Sequence, residues 1–321
     1  MKKSDNFQYR AFKNQQRNIC FMKKIHGTFA MLAATILWGF AFAAQSSGMK
    51  FVGPMLFVML RSLVGVAALS VVIVIFDIVS GQKLSFWGRA ETFEERRFML
   101  TGGVLCGTAI SMASIFQQIG LQSVSAGKSG FLTALYILIV PIAGIFFKRR
   151  TNPVLWVAVV LAMIGTYLLT GGIGNIGRGE LFLFLCSVMF SIHILTIDRF
   201  APKCDCVRLS CLQFMTASVV AGCASLCFNE PWSADKITAS LPFWVYCGVG
   251  SSAIAFTLQM MAQKVLHPTV ASLLMSLESV FGIIGGWLFL HEVLTAREAL
   301  GCAIIFAAIL LTQLPARRRV I

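Results

Sequence analysis

Long apolar stretches separated by short polar segments dominate the pattern of this chain of 321 residues. Ten stretches can be distinguished, and most match the roughly 20 residues that a membrane-spanning helix needs. They cover residues 26–45, 54–76, 99–120, 124–147, 153–171, 179–197, 207–227, 240–264, 269–290 and 295–314. Backbone polar groups in hydrocarbon must pair within their own segment. Long apolar runs in which apolar and polar residues do not alternate therefore predict helices and not a barrel. The pattern predicts an all-α polytopic membrane protein with ten transmembrane helices.

The second five stretches resemble the first five. A shift of 142 residues aligns 101–170 with 243–312 without a gap, and ten aligned positions are identical, including Gln117 with Gln259. An odd number of spans per copy turns the second copy upside down, which predicts two inverted five-helix repeats around a site that can open to either side. The predicted segments are a polar cytoplasmic segment 1–25, a first repeat 26–171, a Gly-rich linker 172–178, a second repeat 179–314 and a basic tail 315–321.

Composition and charge support this topology. Hydrophobic residues make up 57% of the chain and charged residues 12%, about half the share that is usual in soluble proteins. If the N-terminus is cytoplasmic, 21 Lys and Arg residues lie on the inner side and five on the outer side. The positive-inside rule then predicts a multi-pass membrane protein with both termini in the cytoplasm. The net charge of +14 follows from this placement, and no nucleic-acid partner is expected.

Two charged residues stand out well inside predicted spans, where charge is costly and marks a functional hypothesis. Arg61 lies seven residues after Pro54, about 10 Å along a helix, and Glu278 lies nine residues after Thr269. Glu278 is a candidate for proton coupling or cation binding, and Arg61 for binding a substrate carboxylate. The alternative is that they form a structural pair or neutralise helix ends.

Particular residues also carry a family resemblance. They are Trp38 and Gly39, Pro54 with Arg61, the stretch 131–141 with Tyr136 and Pro141, the stretch 276–281, Gly286 with Trp287, and His291 with Glu292. Over residues 26–314 the chain resembles the drug/metabolite transporter superfamily, and within it the bacterial EamA-type transporters. The resemblance implies a ten-helix carrier of the bacterial cytoplasmic membrane, with a central cavity that moves small organic solutes, commonly amino acids or related metabolites, outward.

Six further residues are candidates for substrate binding or coupling. Each also has a plainer interpretation: Lys128 could snorkel to the interface, His193 could pack as a neutral hydrogen-bonded residue, and amides or aromatic rings could bridge or anchor helices. The functional hypotheses are anion attraction for Lys128, proton relay for His193, polar substrate contacts for Gln117 and Gln259, and cavity walls for Trp38 and Tyr136.

We therefore expect a secondary transporter that works by alternating access, with a small organic solute and protons as its candidate cargo and coupling ion. Broad efflux of cationic or aromatic compounds is the alternative within transport. An enzyme is disfavoured because no HExxH or GxSxG motif occurs, and a channel because no filter-like repeat is visible. No metal site or cofactor is expected.

Overall fold

The computed structural model describes residues 2–81, 83–88, 90–124, 126–146, 153–170, 177–290 and 295–313, with side chains of 2–21, 126–128, 131, 169–170, 285–290 and 313 excepted. All regular secondary structure in these ranges is helical. The first half contains α1 (Lys2–Gly48), α2 (Pro54–Val79), α3 (Phe93–Leu121), α4 (Ala126–Ala134), α5 (Tyr136–Phe146) and α6 (Pro153–Thr170). The second half contains α7 (Arg178–Phe200), α8 (Cys206–Cys227), α9 (Ala234–Ala239), α10 (Leu241–Tyr246), a π-helix (Cys247–Ala255), α11 (Phe256–Gln263), α12 (Pro268–Met275), α13 (Leu277–Leu290) and α14 (Ala296–Gln313).

Six helical stretches in the described ranges are long and apolar enough to cross a membrane. They are Met22–Gly48, Pro54–Val79, Phe93–Leu121, Arg178–Lys203, Cys206–Cys227 and Leu241–Gln263. Shorter apolar helical stretches cover Leu132–Phe146, Pro153–Leu168 and Pro268–Ile284, within the predicted fourth, fifth and ninth spans. The chain is thus a helical, multi-pass membrane protein, and the total of ten spans stays a prediction.

Three predicted spans are not continuous α-helices. The fourth is interrupted at Leu135, between α4 and α5, and the ninth at Ser276, between α12 and α13. The Ser276 hydroxyl donates to the carbonyl of Leu273 at 2.6 Å, a side-chain bond that competes with the helical backbone pattern. The eighth span contains the nine-residue π-helix, a rare element that is frequent at functional sites.

The helices of the two halves interleave. Extensive contacts join α2 to α8, α3 to α7 and α6 to α14, while α1 packs against α13 and the π-helix. A Cβ atom on Gly39 would lie 2.8 Å from the backbone nitrogen of Gly282, so glycine at position 39 permits the close crossing of α1 and α13. The main hydrophobic core draws residues from both halves, including Trp38, Tyr136 and Phe256.

Both ends of α2 are bound to residues of the second half. At its start, the carboxylate of Glu230 accepts hydrogen bonds from the backbone N–H groups of Met55 (3.0 Å) and Leu56 (2.6 Å), which have no partner within the first turn. At its other end, Asp77 forms a buried ion pair with Arg208 of α8. Arg208 was predicted as an inner-side cation, and its buried partner was not evident from the sequence.

Candidate functional site

A small central cavity of about 20 Å³, room for about one water molecule, lies between the two halves. The first half lines it with Trp38, Gln45, Arg61, Gln117 and Tyr136, and the second half with Phe190, Ser251, Phe256, Met275 and Glu278. The interruptions of the fourth and ninth spans both border it, because Tyr136 follows one and Glu278 the other. Tyr136 and Glu278 are also equivalent under the 142-residue shift. Interrupted spans at corresponding positions are typical of transporter binding sites.

Arg61 is held by a polar network within the first half. Its Nη1 donates to Gln45 Oε1 at 3.3 Å, and its Nη2 donates to Ser114 Oγ at 2.6 Å. Gln45 Oε1 also accepts from Gln118 Nε2 at 2.5 Å. Only 3% of Arg61 is exposed, so these neutral partners fix the orientation of the guanidinium without cancelling its charge.

Glu278 brings the opposite charge to the same cavity from the other half. Among the described residues, no ion pair within 4.0 Å joins it to Arg61, and no hydrogen bond to its carboxylate is found. The indole Nε1 of Trp38 and the Nε of Arg61 are buried donors that have no partner among the described side chains. Within the described part of the chain, two opposite charges that do not form an ion pair and two donors without an acceptor share this cavity, an arrangement that a ligand with both charges would stabilise.

Aromatic rings form much of the cavity wall. The rings of Trp38 and Phe256 lie 4.8 Å apart between centroids, and those of Tyr136 and Phe190 lie 6.2 Å apart. Trp38, Tyr136 and Phe256 are each at least 95% buried, and the space between the walls holds about one water molecule, so the cavity is closed to an organic solute in this conformation. An organic solute needs these walls to separate before it can enter.

The π-helix positions part of this wall against α2. A Cβ atom on Gly248 would lie 2.8 Å from the Arg61 carbonyl oxygen and 2.6 Å from side-chain atoms of Val64. A Cβ atom on Gly65 of α2 would lie 3.0 Å from the Cβ of Ser252, which is also a close approach. Ser251, the neighbour of Ser252, faces the cavity. The glycines thus allow the π-helix to lie directly against the helix that carries Arg61.

The structure brings together five of the eight residues singled out from the sequence: Trp38, Arg61, Gln117, Tyr136 and Glu278. Two others lie behind the wall. Gln259 donates to the Met275 sulfur at 3.6 Å, and the ring of His193 lies 5.7 Å from that of Phe256. The side chain of Lys128 lies outside the described residues.

Several cavity residues were not predicted from the sequence. Gln45 had a usable signal, since it is polar, falls in the first span and lies two helical turns after Trp38 on the same face. Ser251 lies in a run of small residues of the eighth span, Gly248 to Ala253, that also suggested close packing. Phe190, Phe256 and Met275 had no such signal, because their residue types are common in any membrane core.

Comparisons with known proteins extend these observations. A family model described as the EamA-like transporter family matches the chain twice, at residues 25–171 and 177–314. An "Uncharacterized transporter" of Archaeoglobus fulgidus is 25% identical over 219 residues, which cover 66% of this chain and 68% of the relative. "Uncharacterized transporter YoaV" of Bacillus subtilis is 22% identical over 295 residues, which cover 90% of this chain and 97% of the relative.

A solved structure, described only as "Crystal structure of protein", shares the fold. It superposes with a TM-score of 0.73 at 19% sequence identity, and the match covers 91% of this chain and 98% of the other. At this identity the likeness concerns the fold alone.

Proposed function

Because the chain belongs to the EamA-like transporter family, and is therefore a membrane transporter and not an enzyme, we propose that its central cavity binds a small zwitterionic solute of the amino-acid type. One observation carries the proposal. Arg61 and Glu278 reach the same closed cavity from different halves, and they do not pair with each other within the described residues. A zwitterion supplies the two charges that this arrangement lacks.

The chemistry of the walls fits such a solute. The free donors of Arg61 and Trp38 suit a carboxylate, and the Glu278 carboxylate suits an ammonium group. The apolar part of the solute would contact Phe190, Phe256 and Met275, and the Trp38 and Tyr136 rings offer additional cation–π or stacking contacts. Gln117 and Ser251 remain available for further hydrogen bonds.

Transport follows from the position of the site between two related halves. We propose that the halves separate alternately on either side, with export from the cytoplasm and both termini of the chain inside the cytoplasmic membrane. Glu278 is the proposed coupling residue, because a proton and the ammonium group of the solute would compete for one carboxylate. Arg61, held by neutral partners, would keep its charge throughout the cycle.

The test uses purified protein in liposomes and counterflow of each of the twenty radiolabelled L-amino acids. We expect saturable exchange of at least one of them. Arg61→Lys should weaken binding by about tenfold or more, because a lysine cannot reproduce the planar fork that Gln45 and Ser114 orient. Glu278→Gln should abolish the response to an imposed pH gradient while the protein stays folded. Glu94→Gln, at an exposed acid, is the matched control.

Efflux of aromatic cations is a second candidate, favoured by the unpaired Glu278 and the aromatic walls. Tetraphenylphosphonium in the same assay separates the two functions. Exchange of this cation without exchange of any amino acid would favour efflux and contradict the zwitterion proposal. Ionic conductance without exchange would contradict both.

A further inference from the structure

A second group of polar side chains lies behind the cavity wall, on α7, α8 and α11. His193, Gln213 and Gln259 are completely buried, and Gln263 is 2% exposed. Gln259 contacts Met275, a wall residue, through a hydrogen bond of 3.6 Å to its sulfur. Gln263 lies one turn further along α11, where the helix ends next to the exposed Lys264. The group therefore extends from the cavity wall toward the end of α11 that the charge pattern predicts to be cytoplasmic.

The hydrogen bonds define which atom of His193 is free. Its Nε2 lies 3.0 Å from Gln213 Oε1, and since that oxygen only accepts, Nε2 carries the hydrogen. In the neutral ring, Nδ1 then has a lone pair, and it is buried without a partner. Nδ1 is thus a base that nothing in the described structure occupies.

The neighbouring free atoms are acceptors as well. Gln263 Nε2 donates to the carbonyl of Ile194, the residue after His193, at 3.2 Å, which leaves Gln263 Oε1 without a donor. Gln259 Oε1 also has no donor. Phe256, whose ring contacts His193, shares a face of α11 with Gln259 and Gln263. Gln259 and Gln263 thus follow one another on α11, and His193 reaches that helix through its ring contact with Phe256. The three acceptors, which have no donor among the described residues, require hydrogen-bond donors that water molecules or a protonated imidazole provide.

We propose that His193, Gln259 and Gln263 form the route by which protons pass between the cytoplasmic end of α11 and Glu278, an inference that rests on the proton-coupled transport proposed above. A proton delivered by water binds to the Nδ1 lone pair, and the Nε2 hydrogen remains on His193, directed at Gln213. The imidazolium then gives the Nδ1 proton, through water beside Gln259, to the Glu278 carboxylate. The neutral ring is regenerated, and no other bond forms or breaks.

The surroundings of His193 offer few competitors for this proton. The described lengths of α11 and α12 carry no titratable side chain. On α7 itself the nearest titratable or charged side chains are Cys186, Asp198 and Arg199. The other packed helices carry Cys106 and the charged first turn of α3, Tyr136 of α5, and Cys206, Arg208 and Cys211 of α8. The Lys128 side chain of α4 is outside the described residues. Glu278 is the carboxylate that lines the cavity beyond Met275.

The test compares two assays on the full chain in liposomes, with the amino acid that gives counterflow as the probe. A gradient of one pH unit should accumulate that amino acid about tenfold if one proton moves per solute and the membrane potential is clamped. His193→Gln should keep counterflow within about twofold but lose this accumulation, since counterflow needs no net proton movement. Gln263→Met should reduce accumulation in the same selective way. His26→Gln, at an exposed histidine, should change neither.

Retention of the accumulation by His193→Gln would overturn the route. Equal loss of counterflow and accumulation in both variants would also overturn it, by making the group structural. The ¹⁵N spectrum of labelled histidines gives an answer that needs no solute, with His193→Gln to assign the signal. A change from neutral to protonated imidazole as the pH falls supports the route, and a signal unchanged with pH contradicts it. Solute exchange that ignores pH in the unaltered protein contradicts proton coupling itself, and absence of exchange contradicts the proposed function.

Discussion

At the scale of single residues, Gln45 leaves the positive charge of Arg61 available for a ligand, because Gln45 is a neutral hydrogen-bond partner. Its amide oxygen accepts from both Arg61 and Gln118, so it orients the guanidinium and leaves it positive. A carboxylate at the same position would accept the same two hydrogen bonds and also neutralise the charge. Substitutions at residue 45 can therefore change the stability of this network and the proposed binding by Arg61 independently.

Two substitutions at this position test that separation. Gln45→Leu removes an acceptor from a buried charged group and should lower the free energy of unfolding by about 1.5–3 kcal/mol. Gln45→Glu should keep that stability but weaken counterflow of a zwitterion about tenfold or more, because Arg61 then has an internal partner. Thermal unfolding in detergent and counterflow measure the two effects. Equal counterflow by Gln45→Glu and the unaltered protein would contradict the proposed role of Arg61.

At the scale of elements, the cavity depends on spans that depart from the regular α-helix. Tyr136 and Glu278 follow the interruptions at Leu135 and Ser276, and Ser251 belongs to the π-helix. The π-helix can lie against α2 because Gly248 has no side chain. This contact places the wall of the second half beside Arg61.

Gly248→Ala tests this contact. The added methyl would approach the Arg61 carbonyl oxygen and Val64 too closely, and overpacking of this kind costs about 1–3 kcal/mol. Gly250→Ala is the control, because its Cβ would meet the ring of Tyr246 at an ordinary 3.6 Å. We expect loss of thermal stability and of counterflow only for Gly248→Ala. Equal effects of the two substitutions would show that helix propensity, and not the contact with α2, matters here.

Cavity residues with unusual chemistry could be singled out from the sequence, and those with ordinary chemistry could not. Arg61 and Glu278 could be identified because charges in apolar spans are costly, whatever the fold. The interruption at Leu135 could not, since the surrounding apolar residues are compatible with a continuous helix. Arg208 was predicted only as one of the 21 inner-side Lys and Arg residues, because its position in the chain does not reveal that Asp77 lies opposite it.

At the scale of the whole molecule, α2 and α8 form a strongly connected pair across the boundary between the halves. The Asp77 and Arg208 ion pair binds one end, and Glu230 binds the other end of α2 through two backbone N–H groups. The cavity walls are joined by ring contacts and bordered by interrupted helices. We therefore expect the motions of transport to occur mainly in α1, α5 and α11 to α13, with α2 and α8 staying together.

Substitutions of the Asp77 and Arg208 ion pair measure how much this contact between α2 and α8 stabilises the protein. Asp77→Ala leaves the charge of Arg208 buried and should lower the free energy of unfolding by about 3–5 kcal/mol. The double variant Asp77→Leu with Arg208→Met should recover most of that loss, because no buried charge remains. Thermal unfolding measures both, and Asp235→Ala, at an exposed acid, is the control. A double variant as unstable as Asp77→Ala would show that the pair does more than balance charge.

The π-helix also fixes the rotation of α11 about its axis, because its turns are wider than those of an α-helix. Over its nine residues the wider turns fall behind an α-helix by about one residue, and a residue of an α-helix corresponds to about 100° of rotation. Rewinding this segment as an α-helix would turn Phe256 and Gln259 away from Trp38 and Met275 together. One local change of backbone winding would then open the cavity wall at Phe256 and break the contact of Gln259 with Met275. The axes of α2 and α8 would stay in place.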